Sequence, residues 1–111
     1  MSISISRFDK EKAVPAHQNT ILAMDVLPEG LKAPFGHAYG YLDNGNSMEL
    51  HSHPTAEIYI VYNGGGYVVV GDDKCEVRPG DVINIPPNEP HSMTARENGD
   101  FLWAAFWWDA M

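Results

Sequence analysis

Cysteine is nearly absent: Cys75 stands alone in 111 residues. No intrachain disulfide can form, so nothing calls for an oxidising compartment and a cytoplasmic protein is expected. Positive charge is also scarce. Seven Lys plus Arg face fifteen Asp plus Glu, a formal net charge of −8. A nucleic-acid partner needs a basic footprint and an anionic membrane surface needs clustered cations, so neither is expected. No apolar run approaches the roughly 20 residues of a spanning helix. The opening MSISISRFDKEK lacks the long apolar core of a secretory signal. Helical periodicity is missing as well, since no stretch keeps an i, i+3, i+4 pattern over three turns.

What is present is a succession of short apolar runs broken by Gly, Pro, Asn and Asp. Residues 2–6 alternate polar and apolar and read as a strand. Residues 7–19 read as a polar loop, with Pro15 and room for a short helical turn. A strand over 20–26 (TILAMDV) leads to a connector at 27–36, a strand at 37–42 (HAYGYL) and a turn at 43–45. Further strands are expected at 47–51, 57–62 (EIYIVY), 66–70, 74–77, 81–85, 91–95 and 101–108. Turns at 63–66 (NGGG), 71–73 and 79–80, the pair Pro86-Pro87 and a loop at 96–100 separate them. Such a pattern predicts an all-β sandwich or barrel. With 44% hydrophobic residues, 11% aromatics, no repeat and no linker, residues 1–111 read as one domain with one small core.

Four side chains carry the chemistry. His51 and His53 are two apart, and on a strand that spacing puts both imidazoles on one face. Pro54 then bends or ends the strand. Glu57 opens the next one and offers a carboxylate oxygen. His91, after the Pro-rich turn, offers a third imidazole. Three nitrogens and one oxygen suit a divalent transition metal. An octahedral ion held this way keeps two positions for water, substrate or dioxygen, as a reactive site requires. A divalent cation would also offset part of the acidic charge; the simpler reading of that charge is a soluble surface.

The spacing of these residues resembles the cupin superfamily. Its first motif, G-x5-H-x-H-x3,4-E-x6-G, is matched by Gly45, His51, His53, Glu57 and Gly64. Its second, G-x5-P-x-G-x2-H-x3-N, is matched by Gly80, Pro86 and His91, with Asn88 in place of the glycine and Ala95 in place of the final Asn. Asn tolerates the left-handed backbone, so the turn is expected to survive. Residues 65–79 separate the motifs, a short spacing typical of small microbial members. The resemblance covers residues 45 to 95 directly. It implies a double-stranded β-helix, or jelly-roll barrel, with a metal inside one end. It further implies that His51, His53, Glu57 and His91 are the ligands.

By strand parity, Tyr59 and Val61 share the face of Glu57 and line the pocket. Tyr59 reads either as a donor to a substrate oxygen or as a packed wall residue, and no catalytic residue is assigned. Ser47 and Glu49 are expected on the face of His51, with Glu49 either bonded behind a ligand or facing solvent at the barrel mouth. His37 reads as a non-ligand, His17 as exposed in a polar loop, and Cys75 as a structural or surface thiol. The aromatic run at 101–108 (FLWAAFWW) must place some rings inside and some outside. An outside apolar set favours association, and a homodimer is expected.

Three functions compete. The first is a metal-dependent enzyme on a small organic molecule, with oxidation or ring cleavage (dioxygenase-like) ahead of sugar isomerisation or epimerisation, decarboxylation and lyase chemistry. The second is a small-ligand binding or sensing module without turnover. The third is a storage or structural barrel, against which the intact ligand set argues. Fe, Mn, Zn, Ni and Co all suit three His and one Glu.

Overall fold

The computed structural model describes residues 2–110. Among them are nine strands and no helix: β1 (Val14–Ala16), β2 (Ile21–Met24), β3 (Gly36–Asp43), β4 (Ala56–Gly64), β5 (Gly66–Val70), β6 (Asp73–Val77), β7 (Val82–Ile85), β8 (His91–Ala95) and β9 (Asp100–Trp108). All pairings are antiparallel. They form a six-stranded sheet in the order β1-β2-β3-β9-β4-β7 and a three-stranded sheet in the order β6-β5-β8. The two sheets close on one another as a jelly-roll barrel.

The core follows from alternation. On β4 the buried positions are Glu57, Tyr59 and Val61, and on β8 they are His91, Met93 and Ala95. Of these, Tyr59, Val61, Met93 and Ala95 pack with Ile85 of β7, Val68 of β5, Val77 of β6, and Phe101, Trp103 and Ala105 of β9. Strand β9 lies between β3 and β4, which fits FLWAAFWW being the longest unbroken apolar run of the chain. Gly40 of β3 is opposite Trp103, and a Cβ there would collide with the indole, so the glycine makes room for the largest buried ring.

The metal-motif strands reach one end of the barrel because the chain changes sheets at Gly64–Gly66. A Cβ on Gly64, at φ 75°, would strike the Asp100 carbonyl. The NGGG stretch is therefore a crossing from β4 to β5, and β4 itself runs on to Gly64. The second-motif turn uses Asn88 at φ 69°, in the left-handed region its motif position demands.

Three local expectations are corrected. Residues 2–6 form no strand. Ile3 and Ile5 are exposed, so the alternation has neither a strand partner nor a core to bury against. Part of the predicted 7–19 loop is strand β1. It pairs with β2 at the sheet edge, where Pro15 is tolerated. Residues 47–51 make only two isolated bridges, Ser47 with Thr94 and His51 with His91. The register slips by one residue between those bridges, so the segment bulges. In consequence Met48 rather than Ser47 enters the core, while Ser47 is exposed and bonded to the Thr94 hydroxyl at 2.7 Å.

Candidate metal centre

The structure gathers His51, His53 and His91 into one cluster and sets Glu57 beside His53 and His91. The ligand nitrogens of the three histidines lie within 4.8 Å of one another. Glu57 Oε1 is 3.0 Å from His53 Nε2 and 3.5 Å from His91 Nε2. Metal bonds of about 2.0–2.2 Å place neighbouring ligand atoms of an octahedral ion about 3 Å apart, so these separations fit a small cation held between them.

Each residue is held in position by its own backbone surroundings. The two bridging hydrogen bonds between His51 and His91, 3.2 and 2.8 Å, tie the two motifs together. The Asn88 N–H donates to the His53 carbonyl at 2.7 Å, locking the second-motif turn beneath the first. Glu57 is the second residue of β4 and pairs with Ile85 of β7. His51 and His53 reach the same point along an extended segment that is not a ladder strand, with ring centroids 5.8 Å apart.

The imidazoles are oriented from behind. His51 Nδ1 donates to the Glu49 carbonyl at 3.0 Å, and His91 Nδ1 donates to the Glu89 carbonyl at 2.9 Å. His53 Nδ1 lies against the Thr55 carbonyl at 3.2 Å and the Thr55 hydroxyl at 2.7 Å. A carbonyl only accepts, so at His51 and His91 the proton is on Nδ1 and the Nε2 lone pair faces the centre, whereas at His53 the Thr55 hydroxyl can donate to Nδ1 and Nε2 lies 3.0 Å from Glu57 Oε1. His91 is 0% exposed, and its Nε2 is buried without a hydrogen-bond partner. An orphaned buried acceptor is costly, by about 1–3 kcal/mol, and a bound cation would remove that cost. The donor set and this orphaned nitrogen together fit a divalent transition metal.

Tyr59 is buried beneath the centre. Its ring packs against His91 at 5.9 Å and Trp103 at 5.8 Å. Burial, and then the Glu57 carboxylate beside it, raise its pKa well above the ordinary phenol value, so it stays neutral. That placement fits the packed-wall reading. His37 is remote from the centre in role: its Nδ1 accepts from the N–H groups of Val26 and Leu27 at 3.1 and 3.4 Å, pinning the turn after β2. It lines an open cleft of about 570 Å³, with Lys12, Asp25 and Glu29, that contains none of the four ligands. Cys75 is exposed and unpaired.

His17 is exposed in a loop, as expected, but the sequence did not place it beside His51. His17 lies at the tip of the β1–β2 hairpin and stacks on His51, with ring centroids 4.2 Å apart. Its Nδ1 is 3.8 Å from Glu49 Oε1. Burial and then His51 lower the His17 pKa, while Glu49 pulls the other way. His17, Gln18 and Asn19 all have positive φ, 51°, 59° and 63°. Such residues cost on the order of 1 kcal/mol each in the left-handed region. Thr20 offsets part of that cost by donating its hydroxyl to the His17 carbonyl at 2.6 Å and accepting the Glu49 N–H at 2.9 Å. A four-residue hairpin loop is most often built around a type I turn, so three successive left-handed residues at this tip have no signal in the sequence.

Comparison with known proteins agrees with this architecture. The sequence model of the family described as Cupin domain matches residues 39–108. The chain is 32% identical over 97 residues to the uncharacterized protein MJ1618 of Methanocaldococcus jannaschii, covering 84% of this chain and 76% of that one. Among solved structures it is similar to a Cupin 2 conserved barrel domain protein from Salinispora arenicola, with TM-score 0.84, 25% identity and 99% and 92% of the two chains covered. It is also similar to the plu4264 protein from Photorhabdus luminescens, with TM-score 0.83, 32% identity and 98% and 89% covered.

Proposed function

This chain belongs to the cupin domain family, and from that premise we propose that it holds a divalent transition metal on His51, His53, Glu57 and His91 and uses it on a small organic molecule. The observation that carries the reading is the cluster of His51, His53 and His91, with Glu57 Oε1 against the Nε2 atoms of His53 and His91 and the His91 Nε2 buried and unbonded. Bound there, Fe, Mn, Co, Ni or Zn would supply Lewis acidity and open positions for substrate, and for a redox metal a site for dioxygen.

The chain's own contribution is orientation and charge. Carbonyls of Glu49, Thr55 and Glu89 hold the three rings. Glu57 supplies the negative charge inside the barrel. Tyr59 and Trp103 wall the inner side with apolar surface and keep water from behind the centre. His53, with a side chain 25% exposed, marks the side open to ligand. We favour oxidation or ring cleavage over isomerisation or lyase chemistry. The test is elemental analysis of natively expressed protein, followed by oxygen uptake over a panel of phenolics, thiols, keto acids and sugars. A metal-loaded protein that binds one of these, shifts its melting temperature and leaves it unconverted would instead be a binding or sensing module.

The reading extends to residues 1–111 acting as one domain, in the cytoplasm, as a homodimer. The lone thiol Cys75, exposed, supports a reducing compartment. Partly exposed Phe35, Tyr62, Val82 and Trp108 support association. Some of the outer aromatic set is already covered within the chain, since Phe35 packs on Phe106 at 5.8 Å and Phe8 stacks on Tyr41 at 5.5 Å. Light scattering at micromolar concentration that shows only a 12.3 kDa species would remove the dimer.

A further inference from the structure

His17 and Glu49 belong to neither cupin motif's ligand set. With His51 they nonetheless form a second group of cation-binding side chains, whose ligand atoms lie within 4.8 Å of one another. The inner trio of His51, His53 and His91 and this outer trio are distinct groups with His51 in common.

Their depths differ in order. The side chains of His17 and Glu49 are 36% and 31% exposed, whereas those of Glu57 and His91 are 7% and 0% exposed. His51 lies between, 4.2 Å from the His17 ring and 4.3 Å from the His91 ring. A file of imidazoles, His17 then His51 then His91, thus runs from the rim to the buried end, with a carboxylate at each end. The rim pair is also built in place: the Thr20 hydroxyl ties the backbone of the hairpin tip to the backbone of Glu49. Nothing in the barrel core requires a histidine at this tip.

Resting on the metal-centre reading above, we propose that His17, Glu49 and His51 form an outer loading site for the same divalent cation, which passes to the inner centre through the shared His51. A hydrated ion loses water reluctantly, and exchange of one ligand at a time avoids a bare ion in a buried space. Glu49 supplies charge that attracts the cation at the rim. His17 supplies a nitrogen that favours transition metals over the harder Mg²⁺ and Ca²⁺. Because His51 serves both groups, the outer site fills only in passing, and the inner centre is the resting position.

The test follows Co²⁺ uptake by the chelator-stripped full chain in a stopped-flow instrument, reading visible absorption. His17→Asn is the informative variant, since Asn keeps the left-handed backbone of the tip. The wild type should show a concentration-dependent phase followed by a slower first-order phase. His17→Asn, and His17→Asn with Glu49→Gln, should slow the first phase about tenfold or more. Their final spectrum should be unchanged, and equilibrium affinity should stay within about twofold, as for a change confined to rates. His91→Ala should retain a weak, fast Co²⁺ complex that His17→Asn abolishes. An unaltered association rate in His17→Asn overturns the proposal. A changed final spectrum also overturns it, because His17 is then a resident ligand. If the wild type binds no Co²⁺ at all, this proposal and the metal-centre reading fall together, whereas normal binding with unchanged kinetics sinks the loading site alone.

Discussion

Replacing Glu57 with Gln separates a metal centre from a histidine–carboxylate pair. The change is isosteric, so the fit of β4 between β7 and β9 is kept. What disappears is one negative charge, at an oxygen 3.0 Å from His53 Nε2 and 3.5 Å from His91 Nε2. The Gln amide keeps an oxygen and the same side-chain volume at that point. The melting temperature without metal should therefore move by less than about 4 °C, the equivalent of about 1 kcal/mol for a domain of this size. With metal the outcome differs. At a free concentration a thousandfold above Kd, binding adds about 4.1 kcal/mol. That is a rise of about 16 °C at roughly 4 °C per kcal/mol. Residues behind the ligands typically contribute 10–100-fold in affinity, so loss of the one anionic ligand should cost about 100-fold or more. A hundredfold loss is about 2.7 kcal/mol, or about 11 °C of that rise. Scanning calorimetry of both proteins, with excess Co²⁺ or Zn²⁺ and with chelator, reads the difference directly. An equal metal-induced rise in wild type and E57Q would refute Glu57 as a ligand. A large drop already present in chelator would make the carboxylate a structural partner of His53 instead.

Other consequences follow from the same geometry. Gly40→Ala pushes a methyl group into the Trp103 indole and should lower stability by about 1–3 kcal/mol in urea titration; an unchanged midpoint would mean β3 and β9 separate easily. At Asn88, φ 69°, substitution by Gly should leave stability and Co²⁺ affinity near wild type. Val in its place should cost about 1–2 kcal/mol and weaken Co²⁺ binding, because the turn bonded to the His53 carbonyl shifts. Tyr59 has a folded pKa raised above its unfolded value of 10.0. The folded state then holds a proton that the unfolded chain loses, so stability is intact below pH 10 and falls as pH rises beyond it. Phenolate absorbance of Tyr59, obtained by difference against Tyr59→Phe, should appear only with unfolding; ionisation in the folded protein would contradict its burial.

The candidate ligands are legible in the sequence, three of them through short covalent spacings and His91 through its place after the second-motif turn. His51 and His53 stand two residues apart, Glu57 opens a β-branched and aromatic strand, and His91 follows a Pro-rich turn. β-Branched and aromatic content likewise marked β4, and an unbroken apolar run marked β9; burial alternates along β4 and β8, whereas five consecutive residues of β9 are buried. Where alternation had nothing to bury against, it misled: Ile3 and Ile5 at residues 2–6 are exposed.

Other features were decided only when distant strands met. The one-residue slip between the Ser47–Thr94 and His51–His91 bridges turns Met48 inward, and no local pattern encodes it. The NGGG stretch is a crossing because Asp100 packs against Gly64. His17 is brought to His51 from thirty-four positions away by the β1–β2 hairpin, through a Thr20 hydroxyl bonded to the Glu49 backbone. Residue spacing determines which side chains share a face, because chain geometry is local. Which faces and tips then meet is a matter of edge pairing and burial, and for this protein those placed His17 at the mouth of the centre.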